Sequence, residues 1–306
     1  MTNVICVSAE VASNLRFRGL GNANLDPIRL DDGRYAIAEA ALVDRAFAQY
    51  RPLLAAASLE DASTLTFIGG DDIYLTVDSK EVYTTCARTS HAFGIPETDT
   101  FRFEVRQNET GYPPDLVQST WRRRSELVSK TPAYYSSDTL WASFSMVIAD
   151  GATFDVGYGD YTTLYQWHHP TDIGDGPVMT IEVNNGNLEV VTRSDDDNPD
   201  RDRVVHYSET RHEDGVVADF VISGLLGSGG HLNVWLDGSQ IVDDDCGIGY
   251  YTEGGSGLAV PHWGIYQDNV SDPAVVFFAN MEWGTADLSA RVSTPLSVVV
   301  PAGGWV

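Results

Sequence analysis

The stretch MTIEVNNGNLEVVTR, residues 179–193, constrains the fold more than any other part of the chain. Apolar and polar residues alternate on both sides of Asn185-Gly186, a dipeptide that supplies the two positive-φ positions of a type I′ hairpin turn. The spacing predicts two antiparallel strands with a two-residue connection, a pattern that a helix cannot satisfy. HLNVWLDGSQIV repeats the signal, with Asp237-Gly238 at the turn. Two further segments alternate in the same way. DTFRFEVRQNE sets Phe101, Phe103 and Val105 against Arg102, Glu104 and Arg106, and LWASFSMVIAD aligns Leu140, Ala142, Phe144, Met146 and Ile148 on one face. From about residue 62 onward, strands separated by Gly, Asp and Asn turns, without intervening helices, predict two packed antiparallel sheets. One curved sheet of such a sandwich makes a groove, and a groove can hold a polymer.

Residues 1–60 differ in texture. YAIAEAALVDRAFAQYRPLLAAASLEDA is alanine-rich, and Ile37, Ala41, Leu42, Phe47 and Leu54 recur at roughly helical spacing, interrupted by Pro52. One or two short helices with a strand on either side are expected here, as a small α+β module that packs on the main body or attaches it to something else. Residues 61–306 form the second, all-β unit.

Charge narrows the partners. Lys and Arg number 19 against 44 Asp and Glu, a net charge of −25. Such a surface repels nucleic acid and anionic membranes. Lysine occurs only at Lys80 and Lys130, so an anionic ligand would depend on arginine, and WRRRSEL at 121–127 is the evident cluster. Cys6, Cys86 and Cys246 form no C-x-x-C pair and are expected as buried free thiols. No stretch reaches the roughly 18 apolar residues that a membrane span needs. The opening MTNVICVSAEVASNLRF lacks a basic start and a long apolar run, so a secretory signal is not expected. Extracellular action would then come through incorporation into a virus particle or release on lysis. The acidic loops SDDDNPDRDR and VDDDCG read as solvated; the first departs from calcium-loop spacing, so no cofactor is expected and a structural Ca²⁺ ion is unsupported.

Three strand segments carry the chemistry. With side chains alternating between faces, Arg122, Arg124 and Glu126 share one face of RRRSEL, and Gln166 and His168 share one face of YQWHH. His262, Gly264, Tyr266 and Asp268 share one face of PHWGIYQD. Trp167, between Gln166 and His168, is expected on the outward face. Taken singly, each cluster is ordinary: a solvated basic strand, hydrogen-bonded sheet residues, an amphipathic tyrosine. On one concave sheet they suit β-elimination at a uronic acid. Arg124 and Gln166 would neutralise the carboxylate beside C5, and Glu126 would orient Arg124. His168 or Tyr266 would take the C5 proton, and a tyrosine hydroxyl would protonate the departing oxygen. No metal is required. A retaining glycoside hydrolase would need paired carboxylates about 5 Å apart, and no E-x-D-x-E motif is present.

The order R-S-E-L, then Q-x-H, then G-x-Y resembles the jelly-roll polysaccharide lyases, which include alginate lyases, glucuronan lyases and heparin lyase I-like enzymes. FRFEVRQNE, QWHHP, LNVWLDG and WGIY are most similar to the heparin lyase I-like branch. The resemblance covers about residues 62–290 and implies a concanavalin A-like β-jelly-roll sandwich. It implies that Arg124, Gln166, His168 and Tyr266 are catalytic, with Arg122, Glu126, His262 and Trp235 contacting substrate. His262 stands where alginate lyases carry lysine in K-A-G-x-Y-x-Q, which weakens alginate as the substrate. Low lysine content and strong acidity argue against heparin. The implied partner is an acidic polysaccharide. The alternative is a non-catalytic carbohydrate-binding or adsorption protein, such as a phage spike or tail component that recognises capsule and meets other virion proteins through residues 1–60. A phage depolymerase would combine both.

Overall fold

The computed structural model describes residues 4–7, 28–29, 35–38, 66–68, 72–86, 91–97, 99–106, 123–130, 138–149, 154, 161–169, 176–194, 203–210, 214–250, 259–267, 273–301 and 304–305. Strands β1 (Val4–Val7), β2 (Ile28–Arg29) and β3 (Tyr35–Ala38) pair in the order β1-β3-β2. Ile37, expected on a helix, is therefore in a strand: its backbone pairs with Ile5 of β1, and cross-strand pairing overrides the alanine-rich local propensity. Ala41, Leu42, Phe47 and Leu54 lie outside the described residues.

The rest is a sequence of strands: β4 (Thr66–Ile68), β5 (Asp72–Val77), β6 (Lys80–Cys86), β7 (Phe93–Glu97), β8 (Thr100–Val105), β9 (Arg123–Ser129), β10 (Thr139–Ile148) and β11 (Thr162–His168). There follow β12 (Met179–Asn184), β13 (Asn187–Thr192), β14 (Val204–Thr210), β15 (Val217–Leu225), β16 (His231–Leu236), β17 (Ser239–Asp245), β18 (Val260–Gln267), β19 (Ala274–Gly284) and one helical turn, α1 (Ala290–Ser293). They build two antiparallel sheets, a seven-stranded one ordered β17-β16-β15-β10-β19-β8-β7 and a nine-stranded one ordered β14-β13-β12-β11-β18-β9-β6-β5-β4. The architecture is a β-jelly-roll sandwich.

The hairpin dipeptides behave as their chemistry requires. Asn185 and Gly186 have φ of 50° and 80°, and Asp237 and Gly238 have 50° and 77°, the left-handed pair of a type I′ turn. Between the sheets the core is aromatic. Phe144 of β10 meets Tyr165 of β11 at 4.7 Å between ring centroids, and Trp263 of β18 meets Trp283 of β19 at 4.8 Å. Tyr165 Oη accepts from Trp167 Nε1 at 2.6 Å, so a ring with a polar edge is buried without losing its bond. Trp167 is thus not on the outward face: it is fully buried and packs on Gly224 of β15, where an added Cβ would lie 2.5 Å from the indole. Its inward direction is what turns Gln166 and His168 the other way.

Candidate active site

β11, β18 and β9 lie side by side at the centre of the nine-stranded sheet. The register pairs Tyr266 with Arg124, Gly264 with Glu126, and His262 with Gln166. Three segments distant in sequence thereby meet on the face turned away from the core. Gly264 is a condition of that meeting. Its φ is +135°, and a Cβ there would lie 2.1 Å from the Ser125 carbonyl oxygen and 2.7 Å from Glu126 Cα. Only glycine allows β18 and β9 to approach here.

A continuous line of contacts runs through the cluster. The Arg124 guanidinium lies over the Tyr266 ring, 4.7 Å from its centroid. Arg124 Nη1 is 3.4 Å from Glu126 Oε2, and Glu126 Oε1 accepts from Gln166 Nε2 at 2.5 Å. His262 Nδ1 is 3.7 Å from Glu126 Oε1 and 3.4 Å from Gln166 Nε2. His262 and His168 are stacked, with centroids 5.4 Å apart and planes 13° from parallel. Glu126, Gln166 and His262 are buried, whereas Arg124, His168 and Tyr266 remain partly accessible.

Electrostatics assign protonation states. Burial pushes the Glu126 carboxyl up, but contact with His262, the charge of Arg124 and the Gln166 amide together hold it below the ordinary carboxylate range. Glu126 is an anion there. Burial, joined by the charge of His262, lowers His168 to about 4, although the His169 carbonyl and Glu126 act in the opposite direction. His168 is neutral at physiological pH. Its Nδ1 lies 2.6 Å from the His169 carbonyl oxygen, which can only accept, so Nδ1 carries the hydrogen and the lone pair is on Nε2.

Of the residues expected from sequence, Arg124, Glu126, Gln166, His168, His262 and Tyr266 come together. Arg122 and Asp268 lie outside the described residues. Trp235 is not brought to the cluster. It sits on β16 of the other sheet, where Leu232 and Val234 point into the core, and it stacks on Trp141 with centroids 6.3 Å apart. Strand alternation puts it on the outer face of that sheet, away from Gln166 and His168.

A second polar cluster on the same face of the nine-stranded sheet was missed. Gln166 pairs with Thr180, and two residues on, Glu182 stands opposite Glu189. Glu182 is fully buried and accepts from Arg203 Nε at 2.9 Å, while Arg203 Nη2 also reaches Glu189. Arg193 Nη1 donates to Thr180 Oγ1 at 3.4 Å. Tyr161 is flanked by both guanidinium groups, at 5.3 and 5.4 Å. A usable signal existed. Once Asn185-Gly186 fixes the turn, Glu182 and Glu189 must be directly opposite, a like-charge pair that requires a cation. Among the described residues no group of three or more His, Cys, Asp and Glu is arranged to hold a metal ion.

A jelly-roll sandwich with Arg, Gln, His and Tyr gathered on three central strands defines a protein of the polysaccharide lyase type. The chain matches the polysaccharide lyase family over residues 97–282 and belongs to it. It is similar in structure to a family 7 alginate lyase, with 17% identity over 65% of this chain and 85% of that one and a TM-score of 0.47. It is similar also to the endo-β-1,4-glucuronan lyase of the fungus Trichoderma reesei, with 13% identity over 73% and 94% and a TM-score of 0.48. For an alginate lyase of Pseudomonas aeruginosa the values are 17%, 63%, 86% and 0.45. No curated protein matches the chain.

Proposed function

We propose that this polysaccharide lyase cleaves an acidic, uronate-containing polysaccharide by β-elimination on the face formed by β9, β11 and β18. Elimination at a glycosidic bond needs an acidic proton on the carbon next to an electron sink, and a sugar carboxylate at C5 is that sink. Arg124 and the Gln166 amide hold the carboxylate and stabilise the enolate that develops on it. His168 Nε2 takes the C5 proton, the C4–O bond breaks as the C4=C5 double bond forms, and the Tyr266 hydroxyl gives its proton to the departing oxygen. Proton transfer back from His168 to Tyr266 through solvent restores both groups.

The observation that carries this reading is the assembly of Arg124, Gln166, His168 and Tyr266, from distant segments, along one line of contacts. The test is the ultraviolet absorbance of the unsaturated uronate product, measured over a panel of alginate, glucuronan, glycosaminoglycans and bacterial capsules. Wild type, His168→Ala and Tyr266→Phe are compared. A rise that both substitutions abolish, with polymer binding retained, supports the roles. A flat trace with wild type on every polymer, together with retained binding to a capsule, favours a recognition role such as adsorption of a virus particle.

A further inference from the structure

His262 takes no part in the elimination as written, yet it touches three groups that do. Its ring lies parallel to His168 at 5.4 Å, and its Nδ1 is 3.4 Å from Gln166 Nε2 and 3.7 Å from Glu126 Oε1. Gln166 Nε2 has two hydrogens. One is given to Glu126 Oε1, and the other faces His262 Nδ1. If Nδ1 is unprotonated, it accepts that second hydrogen, and the whole amide donor capacity of Gln166 is used inside the cluster. A proton on Nδ1 makes the contact donor against donor. Nδ1 then turns to Glu126 Oε1, an anion already within 3.7 Å, and one Gln166 N–H is released.

We propose that His262 is a positioning residue of the reaction: protonated at Nδ1 and held by Glu126, it frees a Gln166 N–H for the substrate carboxylate and sets a positive charge against the ring of His168. The proposal rests on the reading of His168 as base and Gln166 as carboxylate ligand. Among the described residues, the charged and titratable groups on the face of the histidine pair are Arg124 and Glu126 on β9, Tyr266 on β18, Glu182 on β12 and Glu189 on β13, the last two joined by Arg193 and Arg203. Glu126 is the carboxylate in reach of His262, and Arg124 is the cation that Glu126 also serves. The charge of His262 disfavours a second proton on His168. Turnover by this route needs His168 neutral, so the acid limb of the pH profile belongs to His168 and is set by its neighbour His262.

The test uses the full chain labelled at histidine. The titration of His168 is followed by NMR, and the pH dependence of kcat and kcat/KM is measured, for wild type, His262→Gln and His262→Lys. In His262→Gln the His168 titration should rise by about one pH unit, the acid limb of kcat should follow it, and the rate should be lower throughout. His262→Lys, which restores a cation at this position, should keep His168 low and recover rate. An active wild type whose His168 titration and acid limb are unmoved in His262→Gln overturns this proposal and leaves the lyase reading standing. An inactive wild type overturns the lyase reading, and the proposal with it.

Discussion

Replacing His168 with asparagine should change how the protein responds to acid, because the fold keeps this imidazole neutral. In the unfolded chain it takes a proton near 6.5, and in the folded chain only near 4. Between those values the unfolded state binds more protons, so stability is complete above about 6.5 and is lost as pH falls through the window. A displacement of that size is worth about 3 kcal/mol once pH is below both values. At pH 5 about 2 kcal/mol of it is already gone. His168→Asn cannot take up the proton, and the asparagine amide can still donate to the His169 carbonyl. Urea unfolding of both proteins at about pH 7.5 and pH 5 isolates the effect, since every other titrating group is shared. Wild type should lose about 2 kcal/mol more than His168→Asn over that interval. An equal loss in the two proteins would refute the claim that burial and His262 keep His168 unprotonated.

Gly264→Ala should destabilise the sandwich by about 1–3 kcal/mol, read in the same urea assay, because the new methyl group meets the Ser125 carbonyl while φ stays positive. Arg203→Met should cost about 3 kcal/mol, by leaving the fully buried Glu182 without its principal cation. Adding Glu182→Gln to that variant should recover part of the loss. With a net charge of −25, the protein should bind an anionic polymer better as salt rises from low values, since repulsion over distances of about 10 Å is screened near 0.1 M. KM measured against sodium chloride should fall first, and a monotonic rise would show that the local arginine groups outweigh the global field. Cys246, its thiol pushed up to about 11 by burial and by Asp244, should react slowly with thiol reagents at neutral pH.

Much of the fold was legible because period-two alternation and turn dipeptides are local properties. Asn185-Gly186 and Asp237-Gly238 required the left-handed φ pairs they adopt, and Phe101, Phe103 and Val105 face inward as their spacing demands. Ile37 was misread because an alanine-rich stretch carries helix propensity, whereas β3 is set by its pairing with β1 and β2. Trp235 was misplaced for a related reason. Alternation says that Trp235 and Val234 face opposite ways, but not which sheet holds them or which side of that sheet meets the groove. Arg193 and Arg203 escaped notice because the acidic run preceding Arg203 suggests a solvated loop, while their partners lie on β12 and β13.

The sequence by itself determined that this chain would be β-rich, where two of its hairpins turn, and which side chains of RRRSEL, YQWHH and PHWGIYQ share a face, since each follows from bond geometry within a few residues. Only the tertiary structure decided that β18 lies between β9 and β11, with Gly264 against Glu126 and His262 between Gln166 and His168. Strand order and register depend on which surfaces exclude water together and which backbones can approach, and here an inward Trp167 and a missing Cβ at Gly264 fix both. The protonation of Glu126 and His168 likewise belongs to that assembly, because burial and neighbouring charge exist only once the strands have met.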